Sequence, residues 1–461
     1  MANQDLQYDS IVIGSGQGGN PLAVQLAGRG ERVALIESGL LGGTCVNTGC
    51  TPTKTMVASA QVAHYARNGQ RWGVHVSDMH VELATVMRRK TKVVTEFRSG
   101  WEKKVDQPGM PRLHRGRARF VGMKRVEVNG ETLAGKRIFI DTGGSPTIPH
   151  IQGLDSVPFL TNVSMLELTE IPQHLVVLGG GYVGLEFGQM FRRFGSEVTV
   201  VQSRDRILAD EDEDVSTTLR MCLEAEGIKI YTGAKAIAAR GTQGSIELDV
   251  AKEDLTETVQ GSHLLVAAGR TPNTKDLSLH QTGVKTNQKG FVVVNDRLET
   301  TAPDVWALGD VTGGPAFTHI SYNDYQIIWA NLFESKDLRT SQRLVPYAVY
   351  TDPTLGRVGI TEAQARREGR RLKIGKVQMT HVARAIERDE TQGFMKIVVD
   401  AATDQVLGAA ILSVEGGELV QILSTLMLAK QRYTLLKGAI YIHPTLTEGF
   451  FRLMDSVKEV D

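Results

Sequence analysis

SIVIGSGQGG, residues 10–19, and LVVLGGGYVG, residues 175–184, are one device written twice. Each is an apolar run of strand character ending in G-x-G-x-x-G, with Gly14, Gly16 and Gly19 in the first copy and Gly179, Gly181 and Gly184 in the second. In a strand-turn-helix unit the first glycine permits the tight turn and the second lets a pyrophosphate approach the backbone. The third lets helix pack on strand, and the helix N-terminus holds the anion. A single copy is a weak signal. Two copies, each running on into a second apolar strand (RVALIES at 32–38 and EVTVVQS at 197–203), describe two dinucleotide sites on one chain. The fold class that follows is α/β, with two Rossmann-like dinucleotide-binding domains.

The two sites differ where a ribose is read. Glu37 ends the second strand of the first unit, placed to accept hydrogen bonds from a ribose hydroxyl as the adenosine end of FAD requires. The matching position of the second unit holds Gln202, followed by Ser203, Arg204, Asp205 and Arg206. A neutral residue there does not repel a 2′-phosphate, and a nearby arginine can bind one, so NADPH is preferred over NADH. Gly188, which extends the glycine pattern in the way more typical of NADH sites, argues the other way.

Composition fits an enzyme of about three domains, since 461 residues exceed what one core organises. The 52 basic and 52 acidic residues balance, so neither nucleic acid nor an anionic membrane is implied as a partner. The run Arg88, Arg89, Lys90 reads as the solvated face of a helix. MANQDLQ leads within a few residues into the strand YDSIVIG, leaving no room for a secretory leader, and no stretch is long enough to span a bilayer. The expected location is the cytoplasm.

Behind the first unit, GGTCVNTGCTPTK (42–54) sets Cys45 and Cys50 in a C-x4-C. On one regular helix such residues lie about 8.6 Å apart, whereas a disulfide needs less than about 7 Å, so this pair bridges only across an irregular turn. Two free thiols are the alternative. Thr51 as N-cap and Pro52 as first helical residue predict a helix continuing through ASAQVAHYAR (58–67). Cys50 then sits at the helix N-terminus, where orphan N–H groups and the dipole lower a thiol pKa. Cys222, in STTLRMCLEAEG (216–227), reads as a small buried hydrophobe.

With Gly42, Gly43, Gly49, Pro52 and Lys54 around the cysteines, the string resembles the redox motif of the class I pyridine nucleotide-disulfide oxidoreductases. That family includes glutathione reductase, dihydrolipoamide dehydrogenase and mercuric reductase, and the resemblance runs the whole length of the chain. It implies a discontinuous FAD-binding domain (1–155 and 272–345), an NAD(P)H-binding domain (156–271) and a C-terminal α+β dimerisation domain (346–461) that makes a homodimer with a shared active site. Gly43 and Thr44 would join the FAD site. TTAPDVWALGDVTGG (300–314) matches the second FAD segment, whose aspartate is here Asp310. HLLVAAGRTPNT (263–274) brings Gly269 and Arg270, and DTGGSP (141–146) stands at the crossover between domains with Asp141 where the family usually has alanine. Tyr182 matches the residue covering the nicotinamide pocket. Lys54 and Glu186 would pair beside the flavin. YIHPTLTEGF (441–450) matches the H-P-T-x-x-E motif, so His443, oriented by Glu448, would enter the partner's dithiol site.

The resemblance implies an electron path from NAD(P)H through FAD to a Cys45–Cys50 disulfide, with Cys50 facing the flavin and Cys45 attacking the acceptor. The acceptor is less defined. Val24 and Gln25 stand where glutathione reductases place arginines. No cysteine follows Cys222, whereas mercuric reductases usually carry a C-terminal cysteine pair and lack the H-P-T histidine. Dihydrolipoamide dehydrogenases normally have an acid where Gln202 stands. A small-molecule disulfide is the expected substrate; the alternatives are reduction of a soft metal ion such as Hg(II), which thiolates prefer, and the dihydrolipoamide dehydrogenase subunit of a multienzyme complex. No resident metal is expected.

Overall fold

A computed structural model describes residues 5–460, so Met1–Gln4 of the leader reading and Asp461 lie outside the described residues. The first glycine-ended run forms the central strand Leu6–Ile13 of a seven-stranded sheet. Val33–Glu37 and Glu131–Ile140 flank it in parallel. Val305–Ala307 pairs with Glu131–Ile140, also in parallel, which carries Asp310 to the same end of the sheet as the glycine loop. Gly14 has φ +105°, and a Cβ there would lie 2.1 Å from the Asp141 carbonyl oxygen.

The second run repeats the arrangement. His174–Leu178 pairs in parallel with Glu197–Val201 and His263–Val266 in a five-stranded sheet. Gly179 has φ +122°, and its Cβ would lie 2.3 Å from the Ala267 carbonyl oxygen. In both turns the chain of a neighbouring strand crosses where any side chain would stand, so glycine is required for two reasons at once. A short ribbon, Gly144–Pro146 with Arg270–Pro272, ties the two sheets. The C-terminal part is a six-stranded antiparallel sheet containing Thr354–Gly359, Phe394–Asp400 and Val406–Ser413, with the helix Gly416–Leu428 packed on it.

A shared core holds these parts together. Met56 and Ala60 from the helix Cys50–Asn68 pack with Phe187 and Phe191 of the helix Tyr182–Phe194, and with Leu355, Phe394 and Leu412 of the C-terminal sheet. Each fully buried phenylalanine contributes on the order of 2–3 kcal/mol. The two site-bearing helices are thus fixed against each other by apolar burial.

Two sequence expectations are corrected. The cysteine helix begins at Cys50 with Gly49 as its N-cap, not behind Thr51. Gly49 lies so close to the Thr44 carbonyl oxygen (2.8 Å from a Cβ) that the turn closes one residue earlier, and Pro52 remains in the first helical turn, where a missing N–H leaves no bond unmade. In the helix Leu83–Val105, Arg88 is solvated but Lys90 is buried, its Nζ donating to the Leu166 carbonyl at 2.7 Å. Lys90 falls on the face of Leu83, Met87 and Val94, so helical phase outweighs the run of charge.

Candidate active site

A cleft of about 1020 Å³ opens where the first glycine loop, the cysteine helix and the Asp310 loop meet. Its walls include Gly14, Gly16, Glu37, Gly43, Thr44, Cys45, Cys50, Lys54, Tyr182, Glu186, Arg270 and Asp310. Most of the expected FAD and redox residues, distant in sequence, are therefore gathered in one space. Glu37 accepts the Ser15 N–H at 2.9 Å and hydroxyl at 2.6 Å, and the Gly39 N–H at 2.7 Å, which fixes its carboxylate at the strand end. Arg270 donates to Asp310 through Nε at 3.1 Å and to the Gly144 carbonyl, clamping the Gly309–Thr312 turn to the Gly144–Pro146 ribbon.

Cys45 and Cys50 are both thiols, brought together by the turn between the short helix Gly43–Asn47 and the helix Cys50–Asn68. Cys50 is the first residue of its 19-residue helix. Thr318, first residue of the helix Thr318–Phe333, places its hydroxyl 3.1 Å from the Cys50 sulfur, so two helix N-termini converge on this atom. The hydrogen bond from Cys45 does most to lower the Cys50 thiol, helped by Thr318 and the Lys54 charge against the effect of burial, and takes it down to about 6. Cys45 is pushed the other way, by the hydrogen bond it gives to Cys50 and by burial. The pair is therefore polarised, with a thiolate at Cys50 and a proton kept on Cys45.

Lys54, one helical turn beyond Cys50, bonds Glu186 at 2.7 Å. Burial works against the lysine's charge, but Glu186 more than offsets it and raises the Lys54 pKa. Glu186 is 3% exposed and also accepts the Tyr350 N–H at 2.9 Å, while Lys54 Nζ lies 4.9 Å from the Tyr350 ring centre. Tyr182 stands one turn before Glu186, against Phe317, which stacks on Tyr347 at 4.9 Å between ring centres. Thr318 and Tyr350 were missed by sequence reasoning. Neither stands in a local motif, and only the packing of distant segments brings them to the cysteines.

Other expected residues lie outside this space. Gly19 sits behind the first loop, its N–H bonded to Asp141, and Gly269 holds the turn before Arg270 with φ +117°. Gly179, Gly181 and Gly184 form the second loop; a Cβ on Gly181 would meet nothing within 4 Å, so the backbone is open there to an approaching ligand. Gln202 donates to the Arg206 carbonyl at 3.3 Å, and Arg204 is exposed and paired with Asp210 at 2.8 Å. His443 is 71% exposed, its Nδ1 3.0 Å from Glu448, which also accepts the Thr445 N–H. Among the described residues Nε2 has no partner, and His443 is not among the residues that line the cleft of its own chain. Cys222 is half-buried, and burial pushes its thiol up to about 11. Among the described residues no group of histidine, cysteine or acidic side chains has the arrangement of a metal site, and no helix is long and apolar enough to cross a membrane.

Comparison with known proteins agrees with this geometry. Residues 8–324 match the family described as pyridine nucleotide-disulphide oxidoreductase, and residues 345–453 match its dimerisation domain. The chain is 36% identical over 98% of its length to all of the probable pyridine nucleotide-disulfide oxidoreductase RclA of Escherichia coli. It is 35% identical to the dihydrolipoyl dehydrogenase of Thermus scotoductus, covering 98% of each chain, and 36% identical over 90% of its length to the mercuric reductase of Bacillus cereus, of which it spans 66%. The solved structure described as the Cu(II) complex of the HOCl-induced flavoprotein disulfide reductase RclA from Escherichia coli superposes with a TM-score of 0.89 at 35% identity, covering 97% of this chain and 100% of that one. Motifs, fold and comparisons converge: this chain belongs to the pyridine nucleotide-disulfide oxidoreductase family, and it is an oxidoreductase of the flavoprotein disulfide reductase type.

Proposed function

We propose that the protein is an NADPH-preferring flavoenzyme that reduces a small disulfide through the Cys45–Cys50 pair. The polarised dithiol carries this reading: a thiolate at Cys50 held by Cys45, Thr318 and Lys54, in a cleft shared with the FAD-type glycine loop. Bound FAD would supply a two-electron relay between the nicotinamide and the cysteines. Gly14, Gly16, Gly19, Glu37, Gly43, Thr44 and Asp310 would hold it, and Gly179, Gly181, Gly184 and Tyr182 would hold the nicotinamide nucleotide.

Cys45 loses its proton to His443 Nε2 of the partner subunit and attacks one sulfur of the acceptor. The acceptor S–S bond breaks, a mixed disulfide forms on Cys45, and the leaving thiolate takes the proton back from the imidazolium. The Cys50 thiolate then attacks the Cys45 sulfur, closing the Cys45–Cys50 disulfide and expelling the second thiolate, which a solvent proton neutralises. Two electrons have left the dithiol, and one disulfide has become two thiols. Glu448 fixes the ring so that Nε2 does the exchange. Homodimerisation fits the location of His443 beside the exposed Ile440 and Ile442, an apolar edge that a second copy would cover. The cytoplasm, where dithiols stay reduced, suits this cycle.

Arg204 and Gln202 support NADPH. The Arg204–Asp210 pair is solvent-exposed and so weak that a 2′-phosphate can displace the carboxylate. A second reading, soft or redox-active metal reduction, draws support from the relative solved with Cu(II) and from the relatives named mercuric reductase. The discriminating experiment follows anaerobic NADPH and NADH oxidation with lipoamide, oxidised glutathione, Cu(II), and Hg(II) in excess thiol. Preference for a disulfide, lost in Cys45→Ser, supports the proposal; preference for either metal ion replaces it.

A further inference from the structure

The first nucleotide unit carries an acid that the second does not. Asp141 donates its N–H to the Ile13 carbonyl, as Ala267 does to Leu178, and the two residues close their glycine turns from the same side. They are structural counterparts, so the chain contains its own control: the second unit builds the turn with a methyl group. In the first, the side chain reaches into the loop. Asp141 Oδ2 accepts the Gly19 N–H at 2.7 Å, and a Cβ on Gly16 or Gly309 would fall 2.7 Å from Oδ2 or 2.9 Å from Oδ1. The carboxyl thus lies between the first glycine loop, expected to hold the diphosphate, and the Gly309 turn of the expected second FAD segment; it is 6% exposed, lines the cleft, and among the described residues has no protein partner on Oδ1.

Among the described residues no cation is paired with it. The charged groups acting on it are Asp310 beyond Gly309, Asp324 on the Thr318–Phe333 helix and Glu37 at the end of its strand; two of these acids hold arginines of their own, Asp310 with Arg270 and Asp324 with Arg343. A buried carboxylate here would also oppose the two charges of a diphosphate.

We propose that Asp141 is a further FAD-binding residue, a neutral carboxylic acid whose Oδ1 proton is donated to a phosphate oxygen of the flavin nucleotide. Burial first, then the surrounding acids, push its carboxyl well above the usual range, against the Gly19 N–H. The inference rests on the FAD reading above. Its sign is distinctive, because losing the proton removes a donor and adds a repelled charge, so flavin is held less tightly as pH rises.

The test uses the oxidised holoenzyme and reads FAD release by the fluorescence of free flavin across a pH series, with circular dichroism confirming that each protein stays folded. Wild type should release FAD at least tenfold faster at the alkaline end. Asp141→Asn, which keeps a neutral donor, should abolish that acceleration, and Asp141→Ala should release quickly at every pH. A carboxylate that merely anchors Gly19 predicts the reverse: tighter binding at high pH and weaker binding in Asp141→Asn. Either of those results, or an Asp141→Asn profile identical to wild type, overturns the proposal. Purified wild type carrying no flavin would instead refute the FAD reading itself.

Discussion

Replacing Thr318 by valine keeps the side-chain volume and removes the hydroxyl that lies 3.1 Å from the Cys50 sulfur. The thiol stands at about 6, against 9.0 for an unperturbed one, with Cys45, Thr318 and Lys54 as its favourable partners and burial against it. A hydrogen bond to a charged group contributes about 1.5 kcal/mol, and at about 1.4 kcal/mol per pKa unit its loss moves the midpoint up by roughly one unit. Because the lowered pKa belongs to a thiol, the charged form exists above the midpoint and is lost as pH falls through it. At about pH 7 the thiolate fraction should then drop from roughly nine-tenths to roughly one-half. The assay is a pH titration of the long-wavelength thiolate-to-flavin absorption in the anaerobically half-reduced enzyme, paralleled by rates of alkylation with iodoacetamide. Thr318→Ser should restore the wild-type midpoint, which a packing effect of valine would not explain. An unmoved midpoint in Thr318→Val would show that the helix N-termini and Cys45 hold the thiolate unaided, and the role given to the hydroxyl would be wrong.

His443→Ala should lower disulfide turnover by about 10²-fold or more while leaving reduction of the enzyme by NADPH unchanged, as stopped-flow traces of the two half-reactions will separate; an equal loss in both halves contradicts a role confined to the acceptor side. Arg204→Ala should raise KM for NADPH about tenfold without changing that for NADH, and an unchanged ratio ends the arginine argument. Glu186→Gln leaves Lys54 without its counter-charge, and because that lysine is 31% exposed the expected loss of stability is only about 2 kcal/mol. Urea unfolding measures it, and a loss below about 0.5 kcal/mol would class the pair with ordinary surface bridges.

Legibility in the sequence followed how local the physics is. The two glycine loops were readable because turn, backbone approach and helix start all fall within ten residues, and Gly14 and Gly179 indeed meet the same obstruction. Lys54 and Glu186 were placed together only by family likeness, since no local rule links residues on separate helices. The start of the cysteine helix was misplaced because Thr51 and Pro52 are good local signals, yet the close approach of Thr44 to Gly49 is a contact across the turn that they do not encode. Thr318 was invisible for the same reason. Its hydroxyl reaches Cys50 through the packing of two helices whose sequences share nothing.

That division explains why the acceptor is harder to read than the electron source. The nucleotide sites are built from backbone and glycine, whose requirements are local and steric. The dithiol is tuned by groups from distant segments, Thr318 and Lys54 with Glu186, and His443 is not among the residues that line its own chain's cleft. On the proposed function, whatever meets Cys45 does so between this cleft and the His443 edge of a second copy, and acceptor choice then belongs to a surface neither chain forms alone. Mixed dimers address this directly: pairing a Cys45→Ser chain with a His443→Ala chain leaves one intact composite site and one doubly defective site. If His443 acts across the interface, each mixed dimer should recover about half the wild-type activity, and an equal, randomly reassorted mixture about a quarter, although each parent is nearly inactive; a mixture no more active than its parents would return His443 to a role within its own chain or to none.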